Sequence, residues 1–268
     1  PHGQARAPAE GGHQVGRASS RILYGDRLSR TREGCDVQYV AGLDKQSGEV
    51  VWKTDRPAMD AERPPHRKAY STPLVLKHNG AEQMVVPGAQ WMVSYDPATG
   101  REMWRVSTGS TYSNTMRPVF ADGLVYCGTA YGGTILLAIR PDGRGDVTDT
   151  HVEWVAKRSV PKKSSVLVVG QELYMVDDNG VASCLDAKSG DVHWTERFSD
   201  PHSASPVFAD GRIYCFAESG TTSVFQPGTT FTAVAENSID GKICASPAFV
   251  EDSIILRSDN HLYRIGSE

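Results

Sequence analysis

Residues 185–194 read Leu-Asp-Ala-Lys-Ser-Gly-Asp-Val-His-Trp, and this stretch predicts the end of one β-strand, a tight turn and the start of the next strand. Gly190 supplies the positive φ that a short hairpin loop requires, and Asp186 and Ser189 can bond the backbone of the turn. Trp194 follows early on the returning strand, where a large ring can pack against a neighbouring element. The stretch therefore predicts a β-hairpin with an aromatic anchor.

The same pattern, Asp-x-x-Ser/Thr-Gly-x-x-x-Trp, occurs three times in the chain. Three copies with this spacing indicate a repeat protein in which each copy performs the same structural task. The residues assigned to this repeat motif are Asp44, Gly48, Trp52, Asp96, Gly100, Trp104, Asp186, Gly190 and Trp194.

A second repeated segment sets the length of the unit. Short Ser/Thr- and Pro-containing openings such as Ser71-Thr72-Pro73 and Ser205-Pro206 precede apolar strands, and they place blade starts near residues 20, 72, 117, 165, 205 and 246. Asp122-Gly123 and Asp210-Gly211 each separate two β-branched and aromatic runs, which is a strong hairpin signal. Short strands that recur every 40–50 residues or so are typical of a β-propeller.

The sequence thus predicts an all-β fold, a β-propeller of four-stranded antiparallel blades. About five to six blades are expected within residues 19–268, after a disordered or poorly packed lead-in at 1–18. The last unit lacks its Trp strand, and the chain begins at Pro1 without an apolar signal core. We therefore expect an N-terminally truncated propeller that had seven or eight blades.

The repeats resemble those of the pyrroloquinoline-quinone (PQQ)-like, or quinoprotein dehydrogenase-like, β-propeller family, whose signature is Ala-x-Asp-x-x-Thr-Gly-x-x-x-Trp. Two further units, Ile139–Trp154 and Phe225–Gly228, match it in degenerate form. The resemblance covers roughly residues 19–266 and is specific for the fold. It implies that Trp52, Trp104 and Trp194 each stack on the neighbouring blade and lock the two blades together.

Composition excludes several classes of partner. The formal net charge is −4, and no apolar run is long enough to cross a membrane, so we expect neither nucleic-acid binding nor a transmembrane segment. Five scattered cysteines indicate buried apolar residues and not a disulfide framework or a zinc site. The acidic loop Asp142–Asp149 has Arg144 where a calcium loop requires Asp or Asn, so a solvated insertion is favoured and no metal is expected.

The residues just before the opening strands are the candidate site, because a closed propeller brings them to one mouth of its central channel. Basic and aromatic side chains there favour an anionic or planar ligand. The alternative is that they are ordinary polar residues at strand starts. No catalytic residue is assigned, although His202 is a general base by residue type. The candidate ligand-binding residues are Tyr70, Ser71, Ser113, Asn114, Arg117, Lys162, Lys163, His202 and Ser203, and Lys68, Tyr112 and Lys242 lie at equivalent positions.

Two functions of different classes remain open from the sequence. The first is a non-catalytic, monomeric binding or scaffold module in the periplasm or elsewhere outside the cytoplasm, without a cofactor, that binds a protein partner or a small anionic or planar ligand. The second, which the resemblance also implies, is a dehydrogenase of alcohols or sugars that uses PQQ and calcium, or a fragment of one. The family's vicinal disulfide and calcium ligands are not recognisable in this chain, which favours the first.

Overall fold

The computed structural model describes residues 21–25, 29–30, 36–61, 63–198 and 200–266. The predicted lead-in at 1–18 and Cys35 lie outside these residues. Within them the protein is all-β apart from one 3-10 turn, Pro64–Arg67, which is far too short to cross a membrane. The confirmed fold is a β-propeller whose blades are antiparallel sheets joined in chain order.

The strands group into six consecutive sheets, here called blades 1 to 6. Four of these have a complete set of four strands, whereas the described parts of blades 1 and 6 have three. Blade 1 comprises β1 (Arg21–Gly25), β4 (Tyr39–Asp44) and β5 (Val50–Asp55), with β2 (Ser29–Arg30) and β3 (Asp36–Val37) as a small separate hairpin. Blade 2 comprises β6 (Leu74–His78), β7 (Ala81–Pro87), β8 (Trp91–Tyr95) and β9 (Glu102–Ser107), and blade 3 comprises β10 (Val119–Ala121), β11 (Leu124–Gly128), β12 (Leu136–Ile139) and β14 (Val152–Ala156). Blade 4 comprises β15 (Leu167–Val169), β16 (Glu172–Val176), β17 (Val181–Asp186) and β18 (Val192–Arg197). Blade 5 comprises β19 (Val207–Ala209), β20 (Arg212–Phe216), β21 (Thr221–Gln226) and β22 (Thr232–Ser238), and blade 6 comprises β23 (Ala248–Val250), β24 (Ser253–Arg257) and β25 (Leu262–Gly266).

Two features depart from a simple repeat. The strand β1, near the predicted first blade start, pairs with β4 and therefore occupies the second position of its blade and not the innermost one. The insertion in blade 3 contains β13 (Gly145–Asp146), which pairs in parallel with β9 and widens blade 2 to five strands. Among the described residues, each pair of consecutive blades shares a hydrophobic cluster but blades 1 and 6 share none, so the ring of sheets is open between them.

The core lies between the blades. Five hydrophobic clusters each combine side chains of two consecutive blades, for example Trp104 and Val106 of blade 2 with Val125 and Leu137 of blade 3. Cys127, Cys184 and Cys215 are buried, as expected for small apolar residues. Cys244 is exposed, contrary to that expectation, because it precedes the last blade and no described blade follows to cover it.

A tryptophan on the fourth strand joins blades 1, 3 and 4 each to the following blade. The indole Nε1–H groups of Trp52, Trp154 and Trp194 donate to the carbonyls of Pro97, Ala187 and Gly228, at distances of 3.1, 3.0 and 3.0 Å, and each carbonyl belongs to the following blade. In two of these contacts the glycine of the receiving turn lies directly against the indole. A Cβ on Gly190 would come within 2.7 Å of Trp154, and one on Gly100 would collide with Trp52.

Trp104 reaches blade 3 through an intermediate side chain. Its Nε1–H donates to Oε1 of Gln83 at 2.8 Å, and Nε2 of Gln83 donates to the carbonyl of Pro141 at 2.7 Å. Pro141 begins the insertion that carries β13, which occupies the place of the short turn in the other blades. Gln83 therefore connects the indole of Trp104 to the backbone of blade 3.

Candidate binding surface

Two ends of the propeller differ in what they contain. Since neighbouring strands are antiparallel, the loops between blades and the turns between second and third strands lie at one end, here called the mouth end. Its described residues fall within 56–73, 88–90, 108–118, 129–135, 157–166, 177–180, 198–206, 217–220, 239–247 and 258–261. The other end, here called the turn end, carries the Asp-x-x-Ser/Thr-Gly turns and the tight turns between first and second strands.

All of the sequence-predicted site residues lie at the mouth end, and backbone bonds tie several of their loops together. The amide of Tyr70 donates to the carbonyl of Asn114 at 2.7 Å, and the amide of Ser113 donates to the carbonyl of Lys68 at 2.6 Å. Tyr112 and Tyr131 exchange both of their backbone bonds, at 2.9 and 3.1 Å. The mouth end of blades 2 and 3 is therefore a preformed platform.

The side chains of two predicted site residues form hydrogen bonds to the backbone of neighbouring loops. Asn114 is fully buried, where its Nδ2 donates to the carbonyl of Gly88 at 2.7 Å and its Oδ1 accepts from the amide of Ala130 at 2.9 Å. The hydroxyl of Ser71 donates to the carbonyl of Met116 at 2.6 Å. These two side chains join neighbouring loops and leave little for a ligand to contact.

His202 is likewise inside the protein, with 1% of its surface exposed. Its Nδ1 lies 2.7 Å from the carbonyl oxygen of Asp200, so Nδ1 carries the proton and donates to that carbonyl. Burial lowers the pKa of the ring below its usual value, which keeps the imidazole neutral at neutral pH. In this position His202 has no route to a substrate in the channel, and its general-base role by residue type gains no support.

A row of serine hydroxyls, which the sequence analysis did not identify as a unit, links blades 3 to 6 at their inner edge. The amide of Arg117 donates to Oγ of Ser165 at 3.1 Å, the amide of Ser165 to Oγ of Ser205 at 2.9 Å, and the amide of Ser205 to Oγ of Ser246 at 2.9 Å. The repeated serine before each opening strand was visible in the sequence. Its bond to the preceding blade required the blades to be placed side by side.

One half of the mouth end is closed by an ion-pair network around Glu218. Its Oε1 accepts from Lys163 Nζ at 3.2 Å and from the hydroxyl of Ser203, while its Oε2 accepts from Lys242 Nζ at 2.8 Å. These residues belong to the loops of blades 4, 5 and 6. The hydrogen bonds from Lys242 and Ser203 lower the pKa of Glu218 to about 2, so the carboxylate is ionised and satisfied.

The other half presents aromatic and basic side chains. His66 stacks on Tyr112 with ring centroids 4.2 Å apart, Tyr112 stacks on Tyr131 at 5.8 Å, and Nζ of Lys162 lies 5.5 Å from the centre of the Tyr131 ring. Half of Tyr131 is exposed, as is most of the nearby Tyr70. We call His66, Tyr112, Tyr131 and Lys162 the tyrosine–lysine row. His66 and Tyr131 were not among the predicted residues, because only the folded loops bring them beside Tyr112.

A small cleft of about 260 Å³ lies at the same end of blade 2, bordered by Asp60, Gln90 and Trp91. Within this cleft, the side chain of Gln90 accepts a hydrogen bond from the amide of Asp60 and donates one to its carbonyl, both at 2.9 Å. Among the described residues, no group of three or more His, Cys, Asp or Glu side chains is placed to hold a metal ion.

The described part of the insertion at 142–149 is anchored to blade 2 through β13, and Arg105 pairs with Asp146 there.

The fold and its repeats define the protein as a PQQ-like β-propeller. More narrowly, the chain belongs to the family described as outer membrane protein assembly factor BamB, whose sequence profile matches residues 36–170 and 149–234. A comparison with curated proteins finds no match.

Solved structures share the fold at low sequence identity. BamB from Moraxella catarrhalis is 15% identical with a TM-score of 0.65, over 90% of this chain and 67% of that one. Sqt1 from Saccharomyces cerevisiae is 11% identical with a TM-score of 0.66, over 93% and 70%. Quinohemoprotein alcohol dehydrogenase from Comamonas testosteroni is 14% identical with a TM-score of 0.55, and this chain covers only 44% of its length. Identities this low show the fold alone.

Proposed function

We propose that this protein is a non-catalytic binding or scaffold module that works outside the cytoplasm and takes a protein partner at its mouth end. The observation that carries the proposal is the tyrosine–lysine row, in which Tyr131 is exposed and the other three residues are half-buried, on loops held by backbone bonds. Exposed tyrosines on a rigid scaffold are typical of protein interfaces, because they bury a large area at a low cost in side-chain entropy.

The family supports the same proposal. Its description, outer membrane protein assembly factor, refers to proteins that act in an assembly process, and this favours partner binding at an extracytoplasmic membrane surface. As proposed, one copy of the chain is the binding unit and no cofactor takes part. The quinoprotein alternative has the fold in its favour, since a quinohemoprotein alcohol dehydrogenase shares it.

Site-specific photo-crosslinking tests the proposal. A photoreactive amino acid placed at Tyr131, in cells that carry the full-length protein, is expected to capture a discrete protein adduct. The matched control carries the same group at Lys188, an exposed residue of the turn end. Equal capture at both positions, or none at Tyr131, contradicts the proposal.

Reconstitution with PQQ and Ca²⁺ tests the alternative. We expect no dye-linked oxidation of alcohols or sugars and no quinone absorbance retained after gel filtration. Stoichiometric retention of the quinone together with dye reduction would replace the binding-module proposal by the dehydrogenase.

A further inference from the structure

We propose that the tyrosine–lysine row binds an acidic, extended segment of the protein partner. This inference rests on the proposed function and names the chemistry of the partner at that same surface. Four observations carry it: the rigidity of the loops, the charge of Lys162, the contrast between the two ends of the propeller, and the way the aromatic rings are stacked.

The row is preformed. Tyr112 and Tyr131 face each other across a backbone bridge, and Ser113 is held at a φ of 53° by its bond to Lys68. That φ lies in the left-handed region, where a residue with a side chain is strained and is kept in place by its bonds to the surrounding structure. Gly132 has no room for a Cβ against the backbone of Ser110. A surface fixed in this way binds without a further cost of ordering its loops.

Lys162 supplies an available positive charge. It is adjacent to Lys163, but only Lys163 is engaged by Glu218. Within the described residues, the Lys162 ammonium group makes no ion pair, and its contact is with the Tyr131 ring. The carboxylate of Asp178 accepts the backbone amide of Lys162 at 3.0 Å and does not pair with its ammonium group. The ammonium group can therefore bind a carboxylate from outside.

The two ends of the propeller differ in charge. Basic residues outnumber acidic ones at the mouth end of blades 2 to 4, where Arg67, Lys68, Arg117, Arg158 and Lys162 are found together with the acidic Asp60, Asp177 and Asp178. At the turn end acidic residues outnumber basic ones, and Asp122, Asp142, Asp149, Asp191, Asp210 and Asp252 are found together with Lys45, Arg101, Arg140, Arg144 and Lys188. This distribution attracts an acidic segment to the mouth end and repels it from the turn end.

The stacking favours a polypeptide over a nucleic acid. Bases bind single-stranded sites by stacking on open aromatic faces. In this row the rings already stack on one another, so what they offer a ligand is mainly ring edges and hydroxyl groups. Tyrosine hydroxyls and a lysine ammonium donate hydrogen bonds to carboxylates, so the acidic side chains of a polypeptide match the groups that this row offers.

A binding titration with a labelled 12-residue peptide of alternating Glu and Ser tests the inference. Lys162→Glu is expected to weaken binding by about tenfold or more, and Lys162→Ala by about threefold to tenfold, as for other charge pairs at an interface. Lys188→Glu, the matched exposed lysine of the turn end, is expected to leave the affinity unchanged. The corresponding Gln/Ser peptide is expected not to bind.

Several results would overturn the inference. They are equal binding of the Gln/Ser peptide, an equal loss in Lys188→Glu, tighter binding of oligo-dT than of the acidic peptide, and binding of free glutamate as strong as that of the peptide. Photo-crosslinks at Tyr131 that the acidic peptide does not compete away would also reject it, while leaving the proposed function in place. Failure of the proposed function itself would instead appear as the absence of adducts at Tyr131.

Discussion

The turn end and the mouth end of this propeller are built from opposite kinds of residue. At the turn end the same side chains recur from blade to blade, and each tryptophan donates to a carbonyl of the following blade or, for Trp104, reaches it through Gln83. At the mouth end the loops differ in length and content, and they contain the Glu218 network and the tyrosine–lysine row. Repetition marks what holds the fold, and the departures from repetition mark where a ligand can be recognised.

The largest expected contrast is between an aromatic residue of each end. Trp104 is fully buried between blades 2 and 3. We expect Trp104→Ala to lower the free energy of unfolding by about 3–5 kcal/mol, as for other buried aromatic residues. Tyr131→Ala at the mouth end should cost about 1 kcal/mol or less, because half of its side chain is already exposed. Urea denaturation of both variants measures this, and equal losses would contradict the division between the ends.

Loss of the two hydrogen bonds that Gln83 makes between Trp104 and Pro141 is expected to have the next largest effect on stability. Gln83→Leu keeps a side chain of similar size but leaves the indole of Trp104 and the carbonyl of Pro141 without their partner. Each unsatisfied buried group costs about 1–3 kcal/mol, so we expect a loss of at least about 2 kcal/mol. A melting temperature equal to that of the unmodified protein would show that Gln83 is not the bridge to blade 3.

Replacing two motif glycines by alanine distinguishes the cost of backbone strain from the cost of overpacking. Gly190 and Gly48 have φ values of 77° and 75°, so replacement by Ala strains both, at about 1–2 kcal/mol. Only at Gly190 would the new methyl group collide with a tryptophan, while at Gly48 it meets nothing within 4 Å. We expect Gly190→Ala to cost about 1–3 kcal/mol more than Gly48→Ala, because overpacking adds to the strain. Equal shifts of the denaturation midpoint in the two variants would show that contact with the tryptophan does not add to the cost at Gly190.

The smallest expected effect is the pH dependence of the Glu218 network. The pKa of Glu218 is about 2 in the folded protein, below its ordinary value near 4.5. A carboxylate with a lowered folded-state pKa contributes stability that is fully present above its unfolded pKa and is lost as the pH falls. The stability difference between the protein and Glu218→Gln should therefore be constant above pH 5 and shrink between about pH 4.5 and pH 2. A difference that does not change over this range would mean that the carboxylate is not held by Lys242, Ser203 and Lys163.

The sequence predicted the turn end well because its information is local. Asp186 accepts amides two and three residues away, at 2.9 and 2.7 Å, and Gly190 has the positive φ that the hairpin requires. Such short-range chemistry is visible in ten residues. The spacing of those stretches then predicted the blades. The exception is β1, which lies outside any such stretch and pairs with β4.

The mouth end was predicted in place but not in detail, because its contacts join residues far apart in the chain. Glu218 bonds Lys163 and Lys242 from two other blades, and nothing near Glu218 in the sequence indicates either partner. Asn114 and His202 have the residue types of a ligand site, yet burial commits both of them to backbone partners. Tyr131 follows an ordinary strand, and its exposure beside Tyr112 depends on the two glycines that turn the chain after it.

Hydrogen–deuterium exchange with and without the acidic peptide tests most directly whether ligand binding is confined to the mouth end. We expect binding to slow amide exchange in segments 66–70, 111–115, 130–134 and 162–165 of the mouth end. We expect no change in the turn-end segments 44–49, 96–101 and 186–191. Protection concentrated in the turn-end segments, or spread equally over both ends, would contradict this expectation.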